Sequence, residues 1–192
     1  SKLFFAHVRA STGTSTSREN CHPFRLGRML FMHNGLIGGY GSIRRDLEQM
    51  IPAEIFQERC GTTDSEAFFL LACGNGLEGD VKEALTRTVE QVLEVMARSG
   101  TDEPLRMTAA IADGNRIYAL RYSSDNQSPT LFYGTGGAIR VNNRRVEFKD
   151  GDKAALVLSE PLDAQIDGWI EIPEGHILEA RGGIVDVSTF QL

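Results

Sequence analysis

Residues 80 to 122 constrain the fold more than any other part of the chain, because they set a capped amphipathic helix directly before a β-hairpin. Asp80-Val81-Lys82-Glu83 has the form of a capping box with Asp as the cap, and Val81, Leu85, Val89, Val92 and Met96 recur at helical spacing up to Ser99-Gly100. That stripe has to be buried. Arg106 to Ala112, the turn Asp113-Gly114-Asn115, and Arg116 to Tyr122 then predict an antiparallel hairpin. With 20 glycines and many short apolar runs between turn-forming residues, the chain reads as sheet-rich α+β rather than as a helical bundle.

The remaining elements follow from the same rules. Leu3 to Val8 is apolar on both faces, as a strand covered on both sides would be, and the period of two would point His7 and Arg9 the same way. Residues 10 to 27, rich in Ser, Thr and Gly and containing Pro23, predict a long loop. Arg28 to His33 predicts a second strand ending at Asn34-Gly35, a pair suited to a tight turn with positive φ. Ser42 to Met50 predicts a short amphipathic helix, and Thr63 or Asp64 caps another running from Ser65 to about Cys73. Further strands are expected at 130–133, 154–159, 168–172, 177–180 and 184–187.

At 192 residues and 41% hydrophobic content the chain can bury a real core, and residues 1–192 are expected to form one domain. A net charge of −6 and a pI near 5.3 provide no field for nucleic acid or an anionic membrane, so the expected partner is a small molecule. The densest basic stretch, Arg140 to Lys149, is broken by Asn142, Asn143 and Glu147 and reads as a solvated hairpin. Cys21, Cys60 and Cys73 are odd in number and widely spaced, which argues against a disulfide framework and for a reducing, cytoplasmic setting. No apolar run reaches the roughly 20 residues that span a bilayer. The chain opens on Ser1 and runs at once into a strand-like segment, so a longer protein with residues upstream is expected.

Three polar segments carry the chemistry: His7-Val8-Arg9, His33-Asn34-Gly35 and Thr63-Asp64-Ser65-Glu66. Arg9, at the mouth of an apolar run, can clamp a carboxylate through two parallel bonds. The Asn34 side-chain amide and the Gly35 N–H can converge on one oxygen as an oxyanion hole. Asp64 at a helix start can pair with a substrate ammonium. Each segment alone also has a plain structural reading, as a strand-end arginine, a turn and a helix cap, with Glu66 complementing the helix dipole. Together they supply a cation, an amide donor and an anion, which is what holding a zwitterionic amino acid during amide chemistry requires.

The order and wording of these segments resemble class II glutamine amidotransferase domains of the N-terminal-nucleophile hydrolase superfamily. The resemblance rests on His7-Val8-Arg9-Ala10-Ser11-Thr12-Gly13, Asn20-Cys21-His22-Pro23, His33-Asn34-Gly35-Leu36-Ile37 and Gly61-Thr62-Thr63-Asp64-Ser65-Glu66-Ala67-Phe68-Phe69, the last nearest to the small stand-alone subgroup. Ser159-Glu160-Pro161-Leu162 and Ile172-Pro173-Glu174-Gly175 are similar to the family's closing strands. The resemblance implies a four-layer αββα sandwich of mostly antiparallel sheets, here incomplete at the N-terminus, and hydrolysis of a glutamine or γ-glutamyl amide through a thioester on an N-terminal cysteine. It implies Arg9 as binder of the α-carboxylate with Thr12 lining the site, Asn34 and Gly35 as oxyanion hole, and Asp64 as partner of the α-ammonium. It implies no cofactor and no metal, and leaves a synthase partner or a homo-oligomer open.

The family's nucleophile is a cysteine exposed as the mature first residue, many tens of residues before the His-x-Arg strand, and that region is not in this sequence; the residues given are expected to bind without turnover. Ser1 cannot replace it. Eight residues of strand put Ser1 about 26 Å from Arg9, whereas the carboxylate and side-chain amide of one glutamine lie only about 5 Å apart. Cys21 and His22, as neighbours in an extended stretch, point apart, which leaves Cys21 a structural residue or a partner of His7 or His33. Cys60 and Cys73 read as structural. His7, His22, His33 and Asp64 match no recognised metal-ligand spacing, and His176 reads as an exposed turn residue. Two alternatives stand beside the leading reading: a γ-glutamyl amidohydrolase acting on a small thiol or peptide, and a non-catalytic binding subunit of the same fold.

Overall fold

The computed structural model describes residues 3–8, 17–136, 139–142, 145–148, 154–162 and 168–192. A hairpin of β1 (Phe24–Leu26) and β2 (Met29–Ile37) leads into the helices α1 (Tyr40–Met50), α2 (Ala53–Phe56), α3 (Asp64–Gly74) and α4 (Val81–Ser99). A second hairpin follows, β3 (Leu105–Ala112) and β4 (Ile117–Ser123), then β5 (Phe132–Gly136), β6 (Ile139–Asn142), β7 (Arg145–Phe148), β8 (Ala154–Leu158) and β9 (Ile170–Glu171). The chain closes with the hairpin of β10 (His176–Arg181) and β11 (Ile184–Thr189). Six strands form one antiparallel sheet in the order β1-β2-β3-β4-β10-β11, three more form a sheet in the order β8-β5-β9, and β6 pairs with β7.

The period of two assigns the faces. On β4, Tyr118 and Leu120 join the core under the helices, while Ile117 and Ala119 join a smaller core with Leu131 and Ile172, against Tyr133 and Val157 of the three-stranded sheet. On β10, Ile177 faces the helices, and Leu178 and Ala180 face the second sheet. The layers therefore run helices, large sheet, small sheet. This is the mixed α+β, antiparallel architecture expected of the family.

α4 matches its sequence reading at both ends: the Asp80 side chain accepts from the Glu83 N–H, and Gly100 follows the last turn. α3 is different, since every residue from Ser65 to Ala72 is buried. α1, α2 and α4 pack against it together with β1 and β2. Phe31 of β2 stacks on Phe68 and Phe69 of α3, with ring centroids 5.9 and 5.4 Å apart. Burying a ring of this kind contributes about 2–3 kcal/mol, which pins α3 onto β2 where the polar segments lie.

Three local expectations are corrected. Leu3–Val8 forms no strand, and with Phe4 77% and Val8 99% exposed it is not covered on both sides. The long loop holds a 3-10 turn at Arg18–Asn20 and the strand β1. β2 does not stop at Asn34-Gly35 but continues to Ile37, because β3 offers a ladder along its full length, from Leu30↔Ala112 to Ile37↔Leu105. Arg9, Thr12 and Ser1 lie outside the described residues.

Candidate active site

The corner where β2 meets α3 brings the second and third polar segments together. Asp64 Oδ2 accepts the Ile37 N–H at 3.0 Å, and Asp64 Oδ1 accepts the Ser65 N–H at 2.8 Å. Each carboxylate oxygen has two acceptor positions, so these bonds orient the carboxylate without exhausting it. The side chain is partly exposed.

Backbone amides alternate in direction along a strand. Since the Ile37 N–H turns to Asp64 rather than to β3, the Gly35 N–H, two residues earlier, points to the same side. β1 pairs only with residues 29 to 31 of β2, so no β1 residue covers that side at Gly35. Asn34 is exposed, with its side chain on the face opposite His33. Gly35 has φ +153°, and a Cβ there would strike the backbone carbonyl of Arg106 and come within 2.7 Å of His33 Nε2. Only glycine fits.

The N-terminus of α3 is built from several directions. Thr63 Oγ1 accepts the Glu66 N–H at 3.2 Å as a helix cap. Glu66 is buried, and its two carboxylate oxygens accept the Cys60 and Gly61 N–H groups at 2.8 Å each. Asn20 Oδ1 accepts the Thr62 N–H at 2.9 Å, and Asn20 Nδ2 donates to Thr62 Oγ1 at 3.3 Å, joining the 3-10 turn to the loop before α3. A Cβ on Gly61 would come within 2.5 Å of Asn20 Oδ1, so this joint also requires the smallest residue. Arg59, its side chain 5% exposed, donates from Nη2 to Tyr40 Oη at 2.9 Å and to the Thr63 carbonyl at 3.3 Å, and pairs with Glu48 at 2.9 Å.

His33 faces the helices and is buried. Its Nδ1 lies 2.9 Å from Ser65 Oγ, and its Nε2 lies 3.3 Å from the Arg106 carbonyl oxygen. Burial drives its pKa below the usual histidine value, against smaller opposing effects of the Asp64 charge and the Arg106 carbonyl. The guanidinium of the same Arg106 binds Asp125 through both carboxylate oxygens; its hydrogen bond is the main cause that holds the Asp125 carboxyl down at about 2.

Asn34, Gly35 and Asp64 therefore share one corner, and the two carboxyl-side candidates, Arg9 and Thr12, fall outside the described residues. The His7 and His22 rings lie 4.4 Å apart with their planes tilted by 43°, and His22 meets Phe24 edge-on at 4.6 Å. Cys21 and Cys60 are exposed; Cys73 is half-buried, its thiol pushed up to about 12 by burial and by the charge of Glu78. A thiol that stays protonated is a poor nucleophile. Among the described residues no group of three or more His, Cys, Asp or Glu is placed to hold a metal ion. His176 begins β10, half-buried, with Nδ1 donating to the Glu174 carbonyl at 2.8 Å. Sequence reasoning missed the bracing by Asn20, Arg59 and Glu66. The one available signal was Thr63-x-x-Glu66, the pattern of a capping box, but the glutamate reaches past the cap to two amides in the preceding loop.

Known proteins share this architecture. A sequence profile for the class-II glutamine amidotransferases matches residues 1–191. The probable glutamine amidotransferase DUG3 of Saccharomyces cerevisiae is 32% identical over 205 aligned positions, covering 94% of this chain and 57% of the yeast protein. The isomerizing glutamine–fructose-6-phosphate aminotransferase of Geobacillus kaustophilus is 28% identical, covering 83% of this chain and 26% of its own length. This chain thus spans little more than half of one relative and about a quarter of the other. A solved glutamine aminotransferase class-II domain protein from Silicibacter pomeroyi superposes with a TM-score of 0.74 at 36% identity, covering 91% of this chain and 72% of that one. No helix among the described residues is long and apolar enough to cross a membrane.

Proposed function

The chain belongs to the class-II glutamine amidotransferase family, and on that premise we propose that the β2–α3 corner is the receiving half of a site that cleaves the side-chain amide of glutamine. In this reading Asp64 holds the substrate α-ammonium, and Arg9 and Thr12 meet the α-carboxylate. The Asn34 amide and the Gly35 N–H hold the oxygen of the amide under attack. The attacking thiol belongs to a cysteine of the full-length protein that precedes His7. A thiol nucleophile suits a reducing compartment, which makes the cytoplasm the expected setting.

The chemistry is acyl transfer. The thiolate attacks the side-chain carbonyl carbon, the carbonyl electron pair moves onto oxygen, and Asn34 and Gly35 stabilise that oxyanion. In this reading the cysteine's own α-amine takes the thiol proton and returns it to the amide nitrogen as the tetrahedral intermediate collapses, so that ammonia leaves and a thioester remains, which water hydrolyses to glutamate. The observation that best supports the reading is the Ile37–Asp64 bond, which turns away from β3 on the strand that carries the exposed Asn34 and Gly35. That side presents an anion-stabilising donor beside a cation-binding carboxylate.

Steady-state glutaminase kinetics on the full-length protein test it. Asn34→Ala is expected to lower kcat about 100- to 1,000-fold, the range for loss of one oxyanion donor. Asp64→Asn is expected to act mainly on KM, and Arg9→Ala to weaken glutamine binding by about 2 to 4 kcal/mol. Wild-type kinetics in the Asn34→Ala protein would overturn the assignment.

A further inference from the structure

One buried ring joins the two halves of this corner. His33 is 4% exposed, beside Phe31 with ring centroids 6.3 Å apart. Its two nitrogens face Ser65 Oγ on α3 and the Arg106 carbonyl on β3. A carbonyl oxygen can only accept, so Nε2 carries the hydrogen. A ring kept neutral by burial then has a bare lone pair at Nδ1, and the Ser65 hydroxyl has to donate to it. The direction of the chain is fixed, from Ser65 to His33 to Arg106.

Both ends of that chain border groups of the proposed site. Ser65 Oγ is also within hydrogen-bonding reach of Asp64 Oδ1, at 3.3 Å against 2.9 Å to His33 Nδ1, so the two acceptors compete for one hydrogen and a hydroxyl released by His33 would donate it to the carboxylate. At the other end, the Arg106 carbonyl packs so closely under Gly35 that no side chain fits between them. The charged group acting on the ring is Asp64 on α3; Arg106 contributes its backbone carbonyl, while its guanidinium, on the other face of the sheet, is bound to Asp125.

We infer that His33 is a positioning residue for both halves of the site: its Nδ1 keeps the Ser65 hydroxyl off Asp64, and its Nε2 holds the Arg106 carbonyl under Gly35. The inference rests on the roles proposed for Asp64 and Gly35. It gives the two ring nitrogens separate kinetic signatures. A glutamine at this position offers an amide nitrogen where Nε2 was and loses the acceptor for Ser65. An asparagine offers an oxygen where Nδ1 was and loses the donor to Arg106.

The experiment is glutamine hydrolysis by the full-length protein, with thermal melts recorded on each variant. His33→Gln is expected to raise KM about tenfold with kcat held within about threefold, and His33→Asn to lower kcat about tenfold with KM held, the size of one hydrogen bond near a charge. Adding Ser65→Ala to His33→Gln removes the competing hydroxyl and is expected to restore KM. Equal losses in both single variants, or no recovery in the double variant, would overturn the inference. If either His33 variant does not fold, Ser65→Ala alone decides: KM within about threefold of wild type is expected, and a tenfold rise would mean that the hydroxyl itself serves Asp64. Asp64→Asn run in parallel separates the two ideas. An unchanged KM there removes the site reading, whereas a raised KM without a Gln–Asn split removes only the role of His33.

Discussion

The N-termini of α3 and α4 start from nearly the same local chemistry and come to different uses. Each has a capping side chain that accepts the N–H three residues on, Thr63 to Glu66 and Asp80 to Glu83. At α4 the glutamate lies in solvent and pairs with Arg87 one turn later, both side chains more than half exposed. At α3 the glutamate is buried and binds two amides of the preceding loop, while its neighbour Asp64 reaches across to β2. The lesson is that a cap fixes where a helix begins, and burial decides whether its first acids hold only the helix or also a site.

The sharpest way to break the comparison is to remove the two glutamates. Glu66→Ala leaves two buried amide donors without an acceptor and is expected to cost about 3 kcal/mol, whereas Glu83→Ala should cost no more than about 0.5 kcal/mol. Urea unfolding of both variants checks this, and similar midpoints would end the distinction.

Acidification comes next. Because burial lowers the pKa of His33, the unfolded chain takes up a proton below about pH 6.5 that the folded chain refuses. That stability is complete above the unfolded pKa and is lost as pH falls towards the folded one, with a slope of at most about 1.4 kcal/mol per pH unit. Unfolding midpoints between pH 7 and about 5 should fall more steeply for wild type than for His33→Gln; parallel lines would mean that His33 is not held neutral. Asp125, held down at about 2, contributes in a separate window, lost as pH drops from its unfolded value near 4.

The caps should show a smaller and matched effect. Thr63→Ala and Asp80→Ala are each expected to lose about 1 kcal/mol. Only the first should also raise KM for glutamine, because only Thr63 adjoins Asp64. A change in KM for Asp80→Ala would contradict the division between the two helices.

Part of this is legible in the sequence alone. The α4 cap, its stripe and the β3–β4 hairpin follow from local periodicity, and Asn34, Gly35 and Asp64, the residues proposed for the site, are singled out by their order along the chain. The extent of β2 was not legible, because Asn-Gly favours a turn when read alone and only the β3 ladder carries the strand on to Ile37. Nor were Asn20, Arg59 and Glu66, whose partners lie in segments that sequence spacing does not connect, such as Asn20 with Thr62. Leu3–Val8 differs in the other direction: its residues suit a strand, yet the segment adopts none and alternates between half-buried and exposed.

The sequence by itself determined where the helices start, where the hairpins turn and which residue types the proposed site has at its disposal, because those properties depend on contacts within a few residues. Only the tertiary structure decided the direction of the Gly35 N–H, the reach of Asp64 to Ile37 and the burial of His33 between Ser65 and Arg106. Hydrogen-bond direction and burial are set by whichever segments happen to meet, and β2, β3 and α3 meet only once the sheet and the helices have packed.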